Sequence, residues 1–339
     1  MNYQLFGHTG LRVSELCLGT MGFGTEWGWG ADYAASKDVF DAYANAGGNF
    51  IDTANRYTEG TSEKFLGEFI KEDRDHFVIA TKYTLKDKNS DPNFAGNHRK
   101  NMMRSVKESM ARLQTDYLDV LWLHIWDFTT HPEEVLQGLN DLISRGLVHY
   151  IGISDTPAWR VAQANTIAEL RGWNRFAALQ VEYNLINRTA ERDLLPMADA
   201  FNMAVTPWAP LAGGALTGKY IKGEKGRLTE GSKRLNERST LIAQKVIEVA
   251  TALECTPAQV AIRWTMQRNQ TVIPIIGATK AYQLNDALGA AQIEIPAEWL
   301  VELNAVSAFE LGFPGDFFNE PGVIDVTYAQ TKHQIKMRS

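Results

Sequence analysis

Four side chains with complementary chemistry stand where short apolar runs of the chain stop. Asp52 follows Phe50-Ile51, Lys82 ends the run 77–81, His124 ends the run 117–123, and Tyr57 lies one short loop past Asp52. Each alone has an ordinary structural role: a turn cap, a solvated strand end, a hydrogen-bonded core imidazole, a packing ring. Together they suggest proton transfer by tyrosine. A free phenol has a pKa of about 10, too high for a well-matched acid near neutrality. An ammonium group beside it favours the phenolate and should lower that value. Asp52 would keep Lys82 charged and oriented, and His124 would position a carbonyl oxygen by a hydrogen bond. A carbonyl that takes a proton on oxygen needs a hydride on carbon, and a nicotinamide cofactor can supply one.

These residues must be brought together by the elements that carry them. Gly47-Gly48 closes a helix, and Phe50-Ile51 between turn signals reads as a buried strand. The same unit of apolar run, polar loop and amphipathic helix recurs. Its runs lie at 16–20, 49–52, 77–81, 117–123, 150–153, 178–184, 204–208 and 271–277. Helices are expected from about 36, over 62–71, after Arg99, from Pro132, after Thr156-Pro157, near 190–200, twice after Arg238, near 280–290 and over 297–307. Strict alternation argues for a parallel sheet, and eight strands close a TIM barrel. An open doubly wound sheet usually carries G-x-G-x-x-G after its first strand, whereas Gly19-Thr20-Met21-Gly22-Phe23-Gly24 does not fit. In a barrel, strand ends converge on one mouth, which would gather Asp52, Tyr57, Lys82 and His124. A hairpin over 3–16 precedes the first unit. No linker splits the chain, so the expectation is one (β/α)8 barrel domain over 1–339, with an irregular C-terminal tail over the mouth.

Composition narrows the class. The chain has 339 residues, 45% hydrophobic and 22% charged, with a net charge of −6. The negative balance speaks against nucleic acid as a partner. Two cysteines, Cys17 and Cys255, imply no disulfide framework. No signal peptide or run of about 18 apolar residues is visible, so a cytoplasmic protein without a membrane partner is expected. The histidines lack metal-ligand spacing, and no metal is expected. Gly213 to Lys219 nearly spells a phosphate-binding loop, but Tyr220 stands where Ser or Thr should bind Mg²⁺. The mixed-charge run 71–75 reads as a solvated turn.

The motifs Phe50-Ile51-Asp52-Thr53-Ala54, Tyr57, Ser62-Glu63, Thr81-Lys82, Leu123-His124, Gly152-Ile153-Ser154 and the run 180–184 resemble the aldo-keto reductases over nearly the whole chain. The branch is the one that is similar to bacterial aryl-alcohol dehydrogenases and potassium-channel β subunits. The resemblance implies a (β/α)8 barrel, NADPH (with NADH possible) bound without a Rossmann domain, and reversible reduction of an aldehyde or ketone. It makes Tyr57 the general acid, with Lys82 and Asp52 tuning it and His124 orienting the carbonyl. Ser154 and Gln180 would hold the carboxamide, and Trp208 would stack on the nicotinamide. Gly213 and Gly214 would approach the pyrophosphate, and Ala209 and Leu211 would be further cofactor contacts. Gly277, Ala278, Thr279, Lys280 and Gln283 would form the adenosine-phosphate segment, with Lys280 on the 2′-phosphate.

Two positions depart from the family pattern. Asp155 stands at a cofactor-binding position usually held by Asn, and Ala287 where an adenine-contacting Asn is usual. A carboxylate accepts hydrogen bonds but cannot donate one to a carboxamide oxygen. The aromatics Trp27, Trp29, Trp126 and Phe128 follow strands and suggest a pocket for a flat or bulky carbonyl. Phe309, Phe313, Phe317 and Phe318 in the tail would either join that pocket or pin the tail. The expected partner is a small carbonyl or alcohol, on a monomer or small homo-oligomer. The rival reading is an NADPH-binding partner subunit of the channel β type.

Overall fold

The computed structural model describes residues 1–229, 231–267 and 271–336. Strands β1 (Tyr3–Leu5) and β2 (Arg12–Ser14) pair antiparallel as the expected hairpin. Then come β3 (Cys17–Gly19), α1 (Tyr33–Asn45), β4 (Phe50–Asp52), α2 (Thr61–Phe69), β5 (Val78–Tyr83), α3 (Arg99–Leu113), β6 (Leu118–Leu123) and α4 (Pro132–Ser144). The second half adds β7 (Val148–Ser154), α5 (Ala158–Arg171), β8 (Ala178–Glu182), α6 (Leu194–Ala200), β9 (Ala204–Trp208), α7 (Glu237–Ala252), α8 (Pro257–Met266), β10 (Ile275–Ile276), α9 (Ala281–Leu288) and α10 (Ala297–Val306). Short helices α11 (Gly315–Asn319) and α12 (Pro321–Tyr328) end the described chain. Strands β3 to β10 form one eight-stranded sheet with every named pair parallel, in the order β10-β3-β4-β5-β6-β7-β8-β9.

Closure of the barrel depends on one residue type. The expected eighth run, 271–277, is a strand only at Ile275–Ile276, because Pro274 has no N–H to give the ladder. The run serves two neighbours on either side of that break. Val205 N donates to Thr271 O (2.9 Å) and Ile273 N to Val205 O (2.8 Å), while Cys17 N bonds Pro274 O (3.0 Å). The two edges of the sheet are thereby joined.

Two apolar layers hold the barrel in shape. Between strands and helices, alternate faces such as Val39, Phe40 and Tyr43 on α1 or Val135, Leu139 and Leu142 on α4 are buried. Inside the barrel, Phe6 of the hairpin is fully buried against Phe50 and Trp122, with ring centroids 5.5 and 6.2 Å apart. Burying such a ring is worth about 1.5–3 kcal/mol. Gly152 makes room for the indole, since a Cβ there would sit 2.2 Å from Trp122. The bottom of the barrel is therefore plugged, and only the C-terminal ends of the strands remain for a site.

The charged run 71–75 is more than a solvated turn. Arg74 donates to Phe77 O, Tyr117 O, Thr115 Oγ1 and Asp119 Oδ2, which ties the starts of β5 and β6 together. The tail helices α11 and α12 bury none of their residues. Phe309 lies beneath the guanidinium groups of Arg188 and Arg192, which pins the start of the tail. Phe313, Phe317 and Phe318 contact one another and stay exposed, so they wall no pocket here. Among the described residues, no helix is long and apolar enough to cross a membrane.

Candidate active site

Asp52 is the last residue of β4 and Lys82 lies near the end of β5, so both side chains rise at the mouth. Lys82 is fully buried, and its ammonium donates to Asp52 Oδ2 (2.5 Å), Thr53 O (2.8 Å) and Tyr57 Oη (3.0 Å). Three donors meet three acceptors, so the buried charge is satisfied. The Asp52–Thr53 stretch is itself clamped. Thr20 Oγ1 donates to Asp52 O, and the hydroxyl of Ser62 meets those of Thr20 (2.8 Å) and Thr53 (2.9 Å). Tyr57 opens a tight turn in which Thr58 and Glu59 hold positive φ, and Thr58 Oγ1 locks that turn by donating to Phe23 O.

His124 follows β6, and its ring meets that of Tyr57 edge-on at 6.2 Å. Its Nδ1 is buried without a partner. Burial, and then the Lys82 charge, push the imidazole well below its usual range, so it is neutral near pH 7. Burial works against the Lys82 ammonium, but Asp52 and Tyr57 leave its pKa above that of a free lysine. The Asp52 carboxyl is pushed up by burial while Lys82 and Gln180 pull it down. The ion pair at 2.5 Å is the arrangement that satisfies both groups.

Tyr57 corrects an expectation. Lys82 does pull its pKa down, but burial pushes it up by more, and Asp52 adds to the rise. The phenol of the protein alone is thus less acidic than free tyrosine. The geometry expected from the sequence is present; the shift has the opposite sign, because a low-dielectric surrounding penalises phenolate more than one ammonium compensates.

The neighbouring strands contribute the next group. Ser154 ends β7, and its hydroxyl is buried with no partner. Gln180 on β8 donates to Asp52 Oδ1 (3.0 Å), an engagement the sequence reading did not contain. Asp155 accepts from Trp208 Nε1 at the end of β9 (3.2 Å). It is open to solvent on one side but ringed by protein, and burial raises its carboxyl.

Past β9, Ala209, Ala212, Gly213 and Gly214 all hold positive φ. A Cβ on Gly214 would come within 2.8 Å of Lys219 Nζ, so the lysine arches over the glycine turn. Leu211 O receives the N–H of Gly214 (2.8 Å). The loop then crosses toward β3, where Arg227 stacks on Trp29 at 4.5 Å, and Arg234 lies over Trp208 while pairing with Glu182 (2.6 Å). Lys219, Arg227 and Arg234 bring cationic groups to this loop, and the sequence reading did not single them out. The signal for Lys219 was its place five residues past Gly214, in a segment whose glycines were expected at a pyrophosphate while its lysine was weighed only against a phosphate-binding loop with Mg²⁺; Arg227 and Arg234 follow in the same basic loop.

Other predicted residues are placed as follows. Trp27 meets Tyr57 at 6.4 Å and so flanks the phenol, and Trp29 contacts Trp27 at 6.0 Å. Trp126 is only 3% exposed, packed under Arg160, and Phe128 is 66% exposed at the surface. Gly277 approaches Gly19, and Thr279 is tied to Gln283 through its N–H and hydroxyl. Lys280 lies at the start of α9, on a cavity of about 400 Å³ whose other wall carries Asp32 and Asp38. Asp32 is engaged there as the cap of α1, accepting from Ala35 N (2.9 Å). Among the described residues, no group of His, Cys, Asp or Glu could hold a metal ion.

With this geometry in hand, likeness to known proteins is informative. The profile of the Aldo/keto reductase family matches residues 15–308. Norsolorinic acid reductase of Aspergillus flavus is 37% identical over 330 residues, covering 93% of this chain and 83% of its own. Norsolorinic acid reductase A of Aspergillus parasiticus is 38% identical, covering 92% and 82%. Aryl-alcohol dehydrogenase [NADP(+)] of Phanerodontia chrysosporium is 36% identical, covering 98% and 92%.

Proposed function

The chain belongs to the aldo/keto reductase family and is an oxidoreductase of the carbonyl-reducing kind, and from that premise we propose that it is an NADPH-dependent enzyme interconverting an aromatic aldehyde or ketone and its alcohol. The observation that carries this reading is the Lys82 ammonium bonded at once to Asp52 and to the Tyr57 hydroxyl. The aromatic side of the proposal is supported by Trp27 beside Tyr57, with Trp29 against Trp27, and by relatives named for norsolorinic acid and aryl alcohols. We take the whole chain, 1–339, as one functional unit built on the barrel.

The residues present fit a nicotinamide dinucleotide. Ser154 offers a buried hydroxyl with no partner, suited to a carboxamide. Gly213 and Gly214 form a turn that a Cβ would fill, with the Lys219 ammonium beside it, suited to a pyrophosphate. Trp208 presents a flat ring at the mouth, and Gln180, Ala209, Leu211, Gly277, Thr279, Lys280 and Gln283 are the remaining proposed contacts. When bound, NADPH would supply the hydride.

The chain's own residues handle the proton. A phenol whose pKa is raised stays protonated across the neutral range, so Tyr57 is ready to donate to a carbonyl oxygen. As the proton leaves, Lys82 stabilises the phenolate, and Asp52 keeps Lys82 charged. Neutral His124 directs a ring N–H at the same oxygen. In the reverse direction Tyr57 must first lose its proton, so alcohol oxidation should strengthen as pH rises.

A panel of aryl aldehydes, quinones, ketosteroids and aldoses, each tested with NADPH and NADH, checks the proposal. Oxidation of NADPH by aryl carbonyls is expected. Tight NADPH binding without turnover on any carbonyl would overturn it in favour of the partner-subunit reading.

A further inference from the structure

Asp155 carries a carboxylate beside the proposed nicotinamide site. It directly follows Ser154, whose free hydroxyl marks the carboxamide corner, and its carboxylate accepts from the indole N–H of Trp208. Its backbone is held at φ 36°, a left-handed conformation that costs a non-glycine residue on the order of 1–3 kcal/mol. Two backbone bonds maintain it, Asp155 N to Gln180 O (3.4 Å) and Trp126 N to Asp155 O (3.5 Å). The backbone is thus held at the mouth, and the Trp208 indole holds the carboxylate.

No cation pairs with it among the described residues. Arg234 is close by, over Trp208, but is bonded to Glu182. Lys82 is within electrostatic reach but is bonded to Asp52, Thr53 and Tyr57. A carboxylate without a counter-ion at the edge of a binding site favours a cationic occupant. The nicotinamide ring is such an occupant in one redox state only: oxidised it carries a positive charge, reduced it is neutral.

We propose that Asp155 makes the site discriminate between the two redox states of its cofactor, holding the oxidised form more tightly than a neutral side chain at this position would. The inference rests on the cofactor assignment made above and adds to it a direction: the charge favours the complex in which alcohol is oxidised. The groups around Asp155 that also titrate or carry charge are Lys82 on β5, Glu182 on β8, Tyr57 after β4 and Arg234 over Trp208. Burial raises the Asp155 carboxyl, so its charge is lost at a less acid pH than that of an exposed aspartate.

The test is a fluorescence titration of NADP⁺ and NADPH binding to the wild type, Asp155→Asn and Asp155→Glu, at several pH values. In Asp155→Asn the ratio Kd(NADP⁺)/Kd(NADPH) should rise roughly tenfold near neutrality, the size of one charge pair across partly solvated space. Asp155→Glu, which keeps the charge, should stay near the wild type. In the wild type the ratio should fall as pH rises through the acid range, and in Asp155→Asn it should stay level. Should Asp155→Asn fail to fold, a wild-type ratio that does not change with acid pH would overturn the proposal. Equal weakening of both forms in Asp155→Asn would also overturn it, while leaving the function intact. Failure of the wild type to bind either form would instead bring down the cofactor assignment, and this inference with it.

Discussion

At the bottom of the barrel, the hairpin presses Phe6 onto Phe50 and Trp122, and Arg74 uses its donors on four partners. At the mouth, Ser154 Oγ and His124 Nδ1 are buried with no partner. Thr58, Glu59, Thr84, Phe128, Asp155 and Ala209, all in loops after strands, hold positive φ. Positive φ also occurs at Gln114, Asn202 and Glu254, but these sit just past helix ends, where such a conformation is an ordinary stop. The contrast shows where stability has been given up. One end of the barrel is filled by packed rings and leaves only the Trp122 indole N–H without a partner in that cluster, while the other keeps strained backbone and free polar atoms available for ligands.

The largest effects should come from one change at each end. Lys82→Met removes the counter-ion of a buried carboxylate and should cost about 3–5 kcal/mol in denaturant unfolding, with turnover abolished. Phe6→Ala should cost a similar ~3–5 kcal/mol by opening a cavity, yet leave kcat per folded molecule near normal. Loss of kcat in folded Phe6→Ala would break the separation between the two ends.

A smaller effect is expected from Ser154→Ala. The hydroxyl has no partner to lose, so stability should change by less than about 0.5 kcal/mol. Cofactor affinity should fall by up to about tenfold, the value of one neutral hydrogen bond. Unchanged binding would remove Ser154 from the cofactor site.

The smallest is a pH effect on stability. His124 titrates well below the ordinary histidine value when folded, so below about pH 6.5 the unfolded chain takes up a proton that the native one refuses. Stability should therefore decline on acidification from that point until the folded imidazole also protonates. His124→Gln should lessen the decline, as read from melting temperature against pH.

Much of this was legible in the sequence. The alternation of apolar runs and helices exposed the barrel, because a parallel strand buried on both faces leaves an apolar run. Asp52, Lys82 and His124 were legible because each polar residue interrupts or ends such a run. What stayed hidden depends on contacts made across the fold. Nothing local tells that Thr53 O accepts from Lys82, that Gln180 donates to Asp52, or that Pro274 divides one strand between two neighbours. The sign of the Tyr57 shift also escaped, since it depends on how much water burial removes, and the order of residues does not record that.

The central claim is that the phenol bonded to Lys82 delivers the proton. It is tested most directly in Tyr57→Phe by measuring NADPH binding together with the single-turnover rate of NADPH oxidation by an aryl aldehyde that the wild type reduces. Binding within about twofold of wild type, with a rate lower by on the order of 10²–10⁴, is the predicted result. A near-normal rate in the folded, cofactor-binding variant would contradict the account.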